Sequence, residues 1–194
     1  AGVSSPARCP DQLEHARGEV MMRRGIVIEA MKRSHLRQVL AIEAATYDRH
    51  WSRQVFLDEL TQVGRGGRHY LIARRGRTIV GYAGLWVVEA AGDREAHVTN
   101  IVVSESVRRE GIGAALMMKL AEHARAQRAT AWTLEVRASA EPAQAMYQRF
   151  GFAPAGYRKA YYEHGEDAVV MWCHRLGDDD YLDRCADRLT GRCA

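Results

Sequence analysis

A strand, a turn with two glycines and an amphipathic helix follow one another near the middle of this sequence. The β-rich stretch from His97 to Ser104 precedes the turn, and Ile112, Leu116 and Leu120 recur after it at intervals of four residues. Glycines at such a junction let backbone N–H groups approach an anion, and the helix N-terminus adds partial positive charge. The segment therefore predicts a phosphate site built on a strand-to-helix unit.

The turn itself reads Arg108-Arg109-Glu110-Gly111-Ile112-Gly113. It does not match the dinucleotide loop of a Rossmann fold, because Leu116 stands where the third glycine belongs, and it lacks the Gly-Lys-Ser/Thr of a Walker loop. An ordinary glycine-rich turn without a ligand remains the alternative. The two flanking arginines favour phosphate binding.

Elsewhere the hydrophobic period changes repeatedly between that of strands and that of helices. Ser34 and Ser52 are candidate N-caps of two successive helices, the second with Phe56, Leu60 and Val63 on one face. Strands are predicted at 26–28, 69–73, 78–89, 97–104, 130–137, 154–162 and 167–175, and further helices after Gly111 and from Ser139 to Gly151. The order β-α-α-β-β-β-α-β-α-β-β predicts an α/β fold, with a mixed, mostly antiparallel sheet flanked by helices and a β-α-β crossover in its second half.

The length of 194 residues predicts a single domain. We expect an N-terminal extension at 1–24, the folded domain at 25–175 and a C-terminal tail at 176–194. In the tail, four residues lie on one side of a predicted helix: Tyr181, Leu182, Cys185 and Leu189. The tail is expected to dock on its own domain or to stay loose.

The composition is that of an ordinary globular protein, with 47% hydrophobic and 27% charged residues. The longest apolar run, Ala168 to Cys173, is too short to span a bilayer, and no signal peptide is evident, so we expect a cytoplasmic protein without membrane contact. The net charge of +4 suits an anionic cofactor or a site near nucleic acid, but a solvated arginine-rich surface explains it equally well. Four scattered cysteines without a Cys-x-x-Cys pair predict free thiols and no metal site.

Two titratable residues stand out in the second half. Alternation along the strand at 130–137 places Glu135 on one face with Thr133 and Arg137, where it either pairs with Arg137 or another arginine or takes part in catalysis. Tyr147 lies on a helix face and is either a core aromatic or a proton donor. Nothing in the sequence places His50 or His97 beside this chemistry, so they are interpreted as surface or core histidines.

Two motifs together resemble the Gcn5-related N-acetyltransferase (GNAT) superfamily. They are Arg108-x-x-Gly111-x-Gly113 after a strand and, about forty residues later, Tyr147-Gln148-Arg149-Phe150-Gly151-Phe152. Further segments resemble the ribosomal-protein-alanine N-acetyltransferases of the RimI type: Asn100-Ile101-Val102-Val103, Leu134-Glu135-Val136-Arg137-Ala138-Ser139, and Tyr161-Tyr162 with Glu166-Asp167-Ala168. The resemblance extends from about Ile26 to Trp172.

The resemblance implies acetyl-coenzyme A (acetyl-CoA) as the cofactor and no metal. Backbone groups of one strand would pair with the pantetheine arm, and backbone amides of the turn would hold the pyrophosphate. The implied cofactor-binding residues are Ile101, Val102, Val103, Arg108, Arg109, Glu110, Gly111, Ile112, Gly113 and Ala114. The family commonly has asparagine where this chain has Ala140, so one coenzyme A contact is expected to be missing.

The resemblance further implies acetyl transfer to the N-terminal α-amino group of a protein, most specifically the N-terminal alanine of a small-subunit ribosomal protein. Glu135 would be the general base, acting through water, and Tyr147 the general acid. Tyr161 and Tyr162 would hold the substrate, with Trp51 in the opposite wall.

The nature of the acceptor stays open at this level. A modest base favours an α-amine, with a pKa near 7.7 to 8.0, over lysine near 10.4. The alternatives are acetylation of lysine or of a small-molecule amine, and a non-catalytic module that binds RNA or protein. We expect a monomer or weak dimer without direct nucleic-acid binding.

Overall fold

The computed structural model describes residues 20–22, 25–90 and 92–191. The strands are β1 (Val20–Met22), β2 (Ile26–Ala30), β3 (Arg68–Arg75), β4 (Thr78–Ala90), β5 (Asp93–Val103), β6 (Ala131–Arg137), β7 (Ala153–Arg158) and β8 (Ala168–Cys173). The helices are α1 (Leu36–Thr46), α2 (Arg53–Thr61), α3 (Ile112–Ala126), α4 (Glu141–Arg149) and α5 (Tyr181–Thr190). Short 3-10 turns lie at Arg33–His35, Glu105–Val107 and Glu163–Gly165.

The strands form one eight-stranded sheet in the order β1-β2-β3-β4-β5-β6-β8-β7. Neighbouring strands are antiparallel except β5 and β6, which α3 connects as a parallel crossover. The predicted fold class, a mixed and mostly antiparallel sheet with flanking helices, is confirmed. The predicted extension at 1–24 contains β1; its other residues lie outside the described part of the chain, and the domain boundaries stay a prediction.

Two hydrophobic clusters cover the two faces of the sheet. The larger cluster lies under α3 and α5, where Trp132, Leu134 and Phe150 are almost fully buried. The smaller cluster lies under α1 and α2, around Phe56 and Tyr82. Because Trp132 and Leu134 face α3, the residue between them and the one that follows, at 133 and 135, face the opposite side of the sheet.

A β-bulge in β5 decides which side chains face which cluster. Gly84 pairs with Asn100 and Leu85 with Val98, so Thr99 is an extra residue opposite β4. Beyond the bulge, Ile101 packs against the α3 cluster. The bulge therefore changes the alternation of side chains just before the strand reaches the glycine turn.

The parallel pair β5–β6 is joined at one end only. Residues Glu95–His97 pair with Ala131–Thr133, and no pairing continues beyond Thr133 in the part of the chain that the structure describes. The two strands nevertheless run on, to Val103 and to Arg137. A gap with an open strand edge therefore lies between them, next to the N-terminus of α3.

Several predicted element boundaries differ from those of the structure. Ser34 lies inside a 3-10 turn and does not cap α1, whereas Ser52 caps α2 as predicted, its hydroxyl accepting from the N–H of Val55. Val63 lies beyond the end of α2 and is exposed. The strand predicted to reach residue 162 ends at Arg158, so the two neighbouring tyrosines lie in a loop.

The C-terminal tail docks on the domain. Tyr181 and Cys185 of α5 are buried, and the Tyr181 hydroxyl donates to the carbonyl of Phe150 at 2.6 Å. Cys173 and Cys185 are free thiols, while the other two cysteines lie outside the described residues. Within the ranges described above, no helix combines the length and the apolar character needed to cross a membrane.

Candidate active site

Glu135 lies on β6 where the gap from β5 begins. Its side chain is 9% exposed and is bound on both sides: Oε2 lies 2.8 Å from Nε2 of His97, and Oε1 lies 2.9 Å from Nη2 of Arg158. The predicted pairing with an arginine is correct, but the partner is Arg158 on β7. Arg137 instead pairs with carboxylates of the loop between β7 and β8.

These contacts determine the protonation state of Glu135. The hydrogen bond with His97 is the main cause of a lowered pKa, and the charge of Arg158 also lowers it, against the opposing effect of burial. Glu135 is therefore a carboxylate at neutral pH. The two contacts also fix the orientation of its side chain.

The interpretation of His97 as a surface or core histidine is wrong, because its ring contacts Glu135. His97 and Thr133 are directly paired across β5 and β6, and Glu135 follows two residues later on the same face. The sequence did contain information on this contact, because the predicted β-α-β crossover makes the strands that carry His97 and Glu135 parallel neighbours. His50 is exposed.

Tyr147 lies on α4 and is 5% exposed. Burial raises the pKa of its hydroxyl well above the ordinary value, and the nearby hydroxyls of Tyr47 and Tyr162 raise it further. Its ring packs edge-on against Phe152, with ring centroids 6.0 Å apart. Tyr147 is thus a core aromatic whose hydroxyl is protonated at neutral pH, and its predicted role as general acid stays a prediction.

Tyr161 and Tyr162 lie in the loop after β7. The Tyr162 hydroxyl donates to the carbonyl of Glu135 at 3.2 Å, and the guanidinium of Arg137 lies 4.4 Å from its ring centre. Tyr161 is 50% exposed and contacts the Tyr162 ring edge-on. The structure thus brings Tyr162 next to Glu135 and leaves Tyr161 exposed to solvent.

The loop between α1 and α2 meets the loop between β7 and β8 above this centre. The N–H of Arg49 donates to Glu163 Oε1 at 3.2 Å, and His164 lies 3.1 Å from Asp48. Arg137 holds the second loop from below through its ion pair with Glu163. The two loops are therefore bridged on this side of the site.

Trp51, which was predicted to form the wall opposite the two tyrosines, is held in place by two contacts. Its backbone N–H donates to Glu43 Oε1 at 3.0 Å, and its ring centroid lies 5.4 Å from that of Phe56. Glu43 is 3% exposed and also accepts from the Tyr82 hydroxyl. Burial raises the pKa of Glu43. Glu43, which anchors the loop that carries Trp51, was not predicted as a functional residue, although it lies at helical spacing with the buried Leu36 and Val39 of α1.

The glycine turn has the geometry of an anion site. Arg109 and Gly111 both adopt positive φ, 68° and 84°, and Gly111 is the N-cap of α3. The first N–H groups of α3, including those of Ile112 and Gly113, have no partner within the helix. The turn therefore leaves backbone donors at the start of α3, and their predicted binding of a pyrophosphate stays a prediction.

Side chains fix this turn from two directions. Glu110 forms an ion pair with Arg75 on β3, and Arg108 Nε donates to the carbonyl of Val103 at 3.3 Å. A Cβ on Gly113 would lie 3.2 Å from the sulfur of Met146, so a larger residue there would require the Met146 side chain to shift. The Arg109 side chain is exposed, which leaves it accessible to an anion.

The remaining predicted cofactor residues line the gap or border it. Ile101, Val102 and Val103 follow the bulge on the unpaired edge of β5, and Ala114 lies in the first turn of α3. Ala140 is the N-cap of α4 and offers no side-chain hydrogen bond there. Among the described residues, no cluster of His, Cys, Asp or Glu has the composition of a metal site.

Comparison with known proteins identifies relatives of the chain. The model of the acetyltransferase (GNAT) family matches residues 36–152. The N-alpha-acetyltransferase RimI of Mycobacterium tuberculosis is 33% identical over 149 residues, which cover 75% of this chain and 90% of that protein. The [ribosomal protein bS18]-alanine N-acetyltransferase of Escherichia coli K12 is 38% identical over 80 residues, 40% of this chain and 54% of that protein.

Solved structures show the same fold. The ribosomal-protein-S18-alanine N-acetyltransferase from Escherichia coli superposes with a TM-score of 0.65 at 24% identity, covering 80% of this chain and 97% of that one. Ard1 from Thermoplasma volcanium gives a TM-score of 0.68 at 22% identity, covering 78% and 98%. With the gap, the glycine turn and the family match combined, the chain belongs to the GNAT family of acetyltransferases.

Proposed function

We propose that the chain transfers the acetyl group of acetyl-CoA to the N-terminal α-amino group of a protein, and that the N-terminal alanine of a small-subunit ribosomal protein is its substrate. The observation that carries the proposal is the Glu135 carboxylate, held ionised by His97 and Arg158 where β5 and β6 separate. The names of the two bacterial relatives support the type of acceptor.

The residues present fit acetyl-CoA. The unpaired edge of β5 at Ile101–Val103 offers backbone groups to an extended pantetheine arm, in the manner of an added strand. The N–H groups at the start of α3 and the exposed Arg109 offer donors and positive charge to a pyrophosphate. When bound, acetyl-CoA supplies an activated thioester.

Glu135 would accept the proton of the incoming ammonium through a water molecule. Its lowered pKa makes it a weak base, but an α-ammonium group with a pKa near 8 is already partly neutral at physiological pH. A weak base is therefore sufficient for an N-terminal amine. A lysine side chain costs roughly 3.4 kcal/mol more to deprotonate, which favours the N-terminal acceptor.

The neighbours of Glu135 and the buried tyrosine complete the proposed proton path. His97 orients the carboxylate, and Arg158 balances its charge. Tyr147 is protonated at neutral pH and would donate this proton to the departing thiolate, although its raised pKa makes it a weaker acid than a solvent-exposed tyrosine. Tyr162, which donates to the Glu135 carbonyl, would face the first residue of the acceptor.

The experiment compares two sets of peptides with acetyl-CoA and the purified chain. One set begins with a free alanine, and the other has blocked ends and an internal lysine. We expect acetylation of the alanine amine, and a loss of roughly 10²-fold in kcat for Glu135→Gln with acetyl-CoA binding retained.

The control variant is Glu122→Gln, which alters an exposed pair with Lys119 on α3. It should leave the rate unchanged. Acetylation of lysine alone would show the acceptor to be wrong, and full activity of Glu135→Gln would exclude its role as base. A ribosomal substrate would place the enzyme in the cytoplasm; we expect a monomer or weak dimer that does not bind nucleic acid directly.

A further inference from the structure

The glycine turn carries a carboxylate in the segment that would bind an anion. Glu110 lies between Arg109 and Gly111, which both have positive φ, 68° and 84°. Its backbone therefore belongs to the same turn that leaves N–H donors at the start of α3. A negative charge here is unfavourable for a bound pyrophosphate unless another group balances it.

Covalent geometry limits the distance between this carboxylate and the proposed anion. A glutamate carboxylate lies at most about 5 Å from its own Cα, and a hydrogen-bonded anion lies about 3 Å from a backbone nitrogen. An anion on the amides of Glu110 or Gly111 is therefore within roughly 10 Å of the carboxylate, which is comparable to a Debye length. The Glu110 side chain is 21% exposed, so solvent screens the repulsion incompletely.

Arg75 at the end of β3 supplies the opposite charge. Its Nη2 lies 2.5 Å from Oε2 of Glu110. The Arg75 backbone is paired with Ile26 on one side and with Thr78 on the other, which fixes its position in the sheet. The guanidinium therefore reaches the turn from a strand that does not border the gap between β5 and β6.

The arginines next to Arg75 have different surroundings. Arg75 shares its face of β3 with Ala73, which packs in the cluster under α3. Alternation places Arg74 on the opposite face, where it pairs with Glu29. Arg77 is exposed in the turn between β3 and β4. The segment thus offers a second cation of the same kind for comparison with Arg75.

We infer that Arg75 is a positioning residue for coenzyme A, which supports binding without touching the cofactor by balancing the charge of Glu110 beside the pyrophosphate. The inference rests on the proposed function and adds a residue of β3 to those on which cofactor affinity depends. Because the role is electrostatic and remote from the gap, it acts on cofactor binding and leaves the proton path at Glu135 unchanged.

Isothermal titration calorimetry with coenzyme A at physiological salt tests this role. Arg75→Met should weaken binding about tenfold, because the carboxylate is then less well balanced. Adding Glu110→Gln to Arg75→Met should restore the affinity to within about threefold, since the repulsive charge is gone. Glu110→Gln alone should tighten binding by about two- to threefold, because Arg75 then adds a positive charge.

Arg77→Met is the matched control, because it removes the same charge two residues away. It should change the affinity by less than about twofold, since solvent screens an exposed charge. An equal loss in Arg77→Met would reduce the effect to net charge and overturn the inference. A double variant that binds as weakly as Arg75→Met would also overturn it, as would unchanged binding in Arg75→Met.

Steady-state kinetics with a peptide that begins with alanine gives a second readout. In Arg75→Met the KM for acetyl-CoA should rise about tenfold, while kcat and the KM for the peptide change by less than about twofold. Arg75→Lys, which keeps the charge, should retain a lower KM for acetyl-CoA than Arg75→Gln. Equal values in these two variants would contradict the inference even where Arg75→Met does not fold. If the unmodified chain does not bind coenzyme A, the proposed function itself fails.

Discussion

The hydrogen bond with His97 is the largest single cause of the lowered pKa of Glu135. The carboxylate is nearly buried, and burial alone would raise its pKa. The hydrogen bond with His97 lowers the pKa and outweighs burial. The charge of Arg158, whose side chain is partly exposed, lowers the pKa further. The ionisation of the proposed base, Glu135 on β6, thus depends on His97 on β5.

We therefore expect His97→Leu to raise the pKa of Glu135. The folded protein would lose its main stabilisation of the carboxylate while the burial stays, so protonation would begin at a higher pH. Because the carboxylate is the active form, the acid limb of kcat/KM should move to higher pH. Carbon-13 NMR titration of the glutamate side chains, with Glu135→Gln for assignment, measures the shift directly.

His97→Gln is the control for this prediction, since its amide can still donate a hydrogen bond to Glu135. It should restore part of the lowered pKa. An unchanged titration in His97→Leu would show that Arg158 alone determines the ionisation.

Single residues were predictable from the sequence where their chemistry conflicted with their surroundings. Glu135 was identified because a carboxylate interrupts an apolar strand, and Gly111 because glycines at a strand-to-helix junction let backbone N–H groups approach an anion. His97 was not, because its partner is fixed by the register between two strands. Arg137 was an expected partner of Glu135, but loop carboxylates reach its guanidinium at 2.6 and 2.7 Å.

The loop between β7 and β8 owes its position to one arginine. Arg137 at the end of β6 binds Glu163 and Glu166, and Ser139 donates to Glu166 at 2.5 Å. The Ser139 hydroxyl is used in this network and does not cap α4, whose N-cap is Ala140. The loop carries Tyr162, so its order bears on substrate binding.

Arg137→Ala should release this loop. We expect faster hydrogen exchange at residues 160–167 and a higher KM for the peptide, with a smaller change in the KM for acetyl-CoA, because the glycine turn is separate from the loop. Arg128→Ala, which removes an exposed arginine after α3, is the control. Unchanged hydrogen exchange at residues 160–167 in Arg137→Ala would mean that contacts within the loop are sufficient to keep it ordered.

The helix α5 is a part of the folded domain. The Tyr181 ring lies edge-on to Trp132, and its hydroxyl donates to the Phe150 carbonyl next to the end of α4. Arg149 donates to the carbonyls of Arg188 and Leu189 at the other end of the helix. The apolar stripe in the sequence was sufficient to predict the helix, but its docking site depends on long-range contacts.

Tyr181→Phe should lower the free energy of unfolding by about 1 to 2 kcal/mol, since a buried carbonyl loses its donor. Tyr181→Ala should cost about 3 to 5 kcal/mol, because it also leaves a cavity beside Trp132. Urea unfolding followed by tryptophan fluorescence measures both. Equal stability of Tyr181→Phe and the unmodified chain would show that the hydroxyl finds no better partner here than in water.

At the scale of the whole molecule, the sheet order was only partly predictable. The strand-helix-strand pattern gave the parallel pair β5–β6, because such crossovers need a helix. The placement of β8 between β6 and β7 follows from pairings that join distant segments, such as Glu135 with Val170. Local periodicity carries no information on such pairs, which is why the position of β8 in the sheet could not be predicted.

Two histidines connect the halves of the fold. His69 on β3 and His123 on α3 stack with ring centroids 3.6 Å apart and planes within 6°. Burial lowers the pKa of His69 to about 4, with a further contribution from His123, and burial also lowers the pKa of His123. Both rings are therefore neutral in the folded protein at physiological pH.

The sign of the resulting pH dependence follows from linkage. The unfolded chain binds protons at these histidines near pH 6.5, before the folded protein does. The contribution of these histidines to stability is therefore complete above about pH 6.5 and is lost as the pH falls towards 4, by up to about 3 kcal/mol for His69.

The urea concentration at the midpoint of unfolding should fall between pH 6.5 and pH 4. His69→Phe, which keeps a flat ring without a titrating group, should reduce the fall, whereas His50→Gln at an exposed position should not. A fall of equal size in His69→Phe would assign the acid sensitivity to the carboxylates instead.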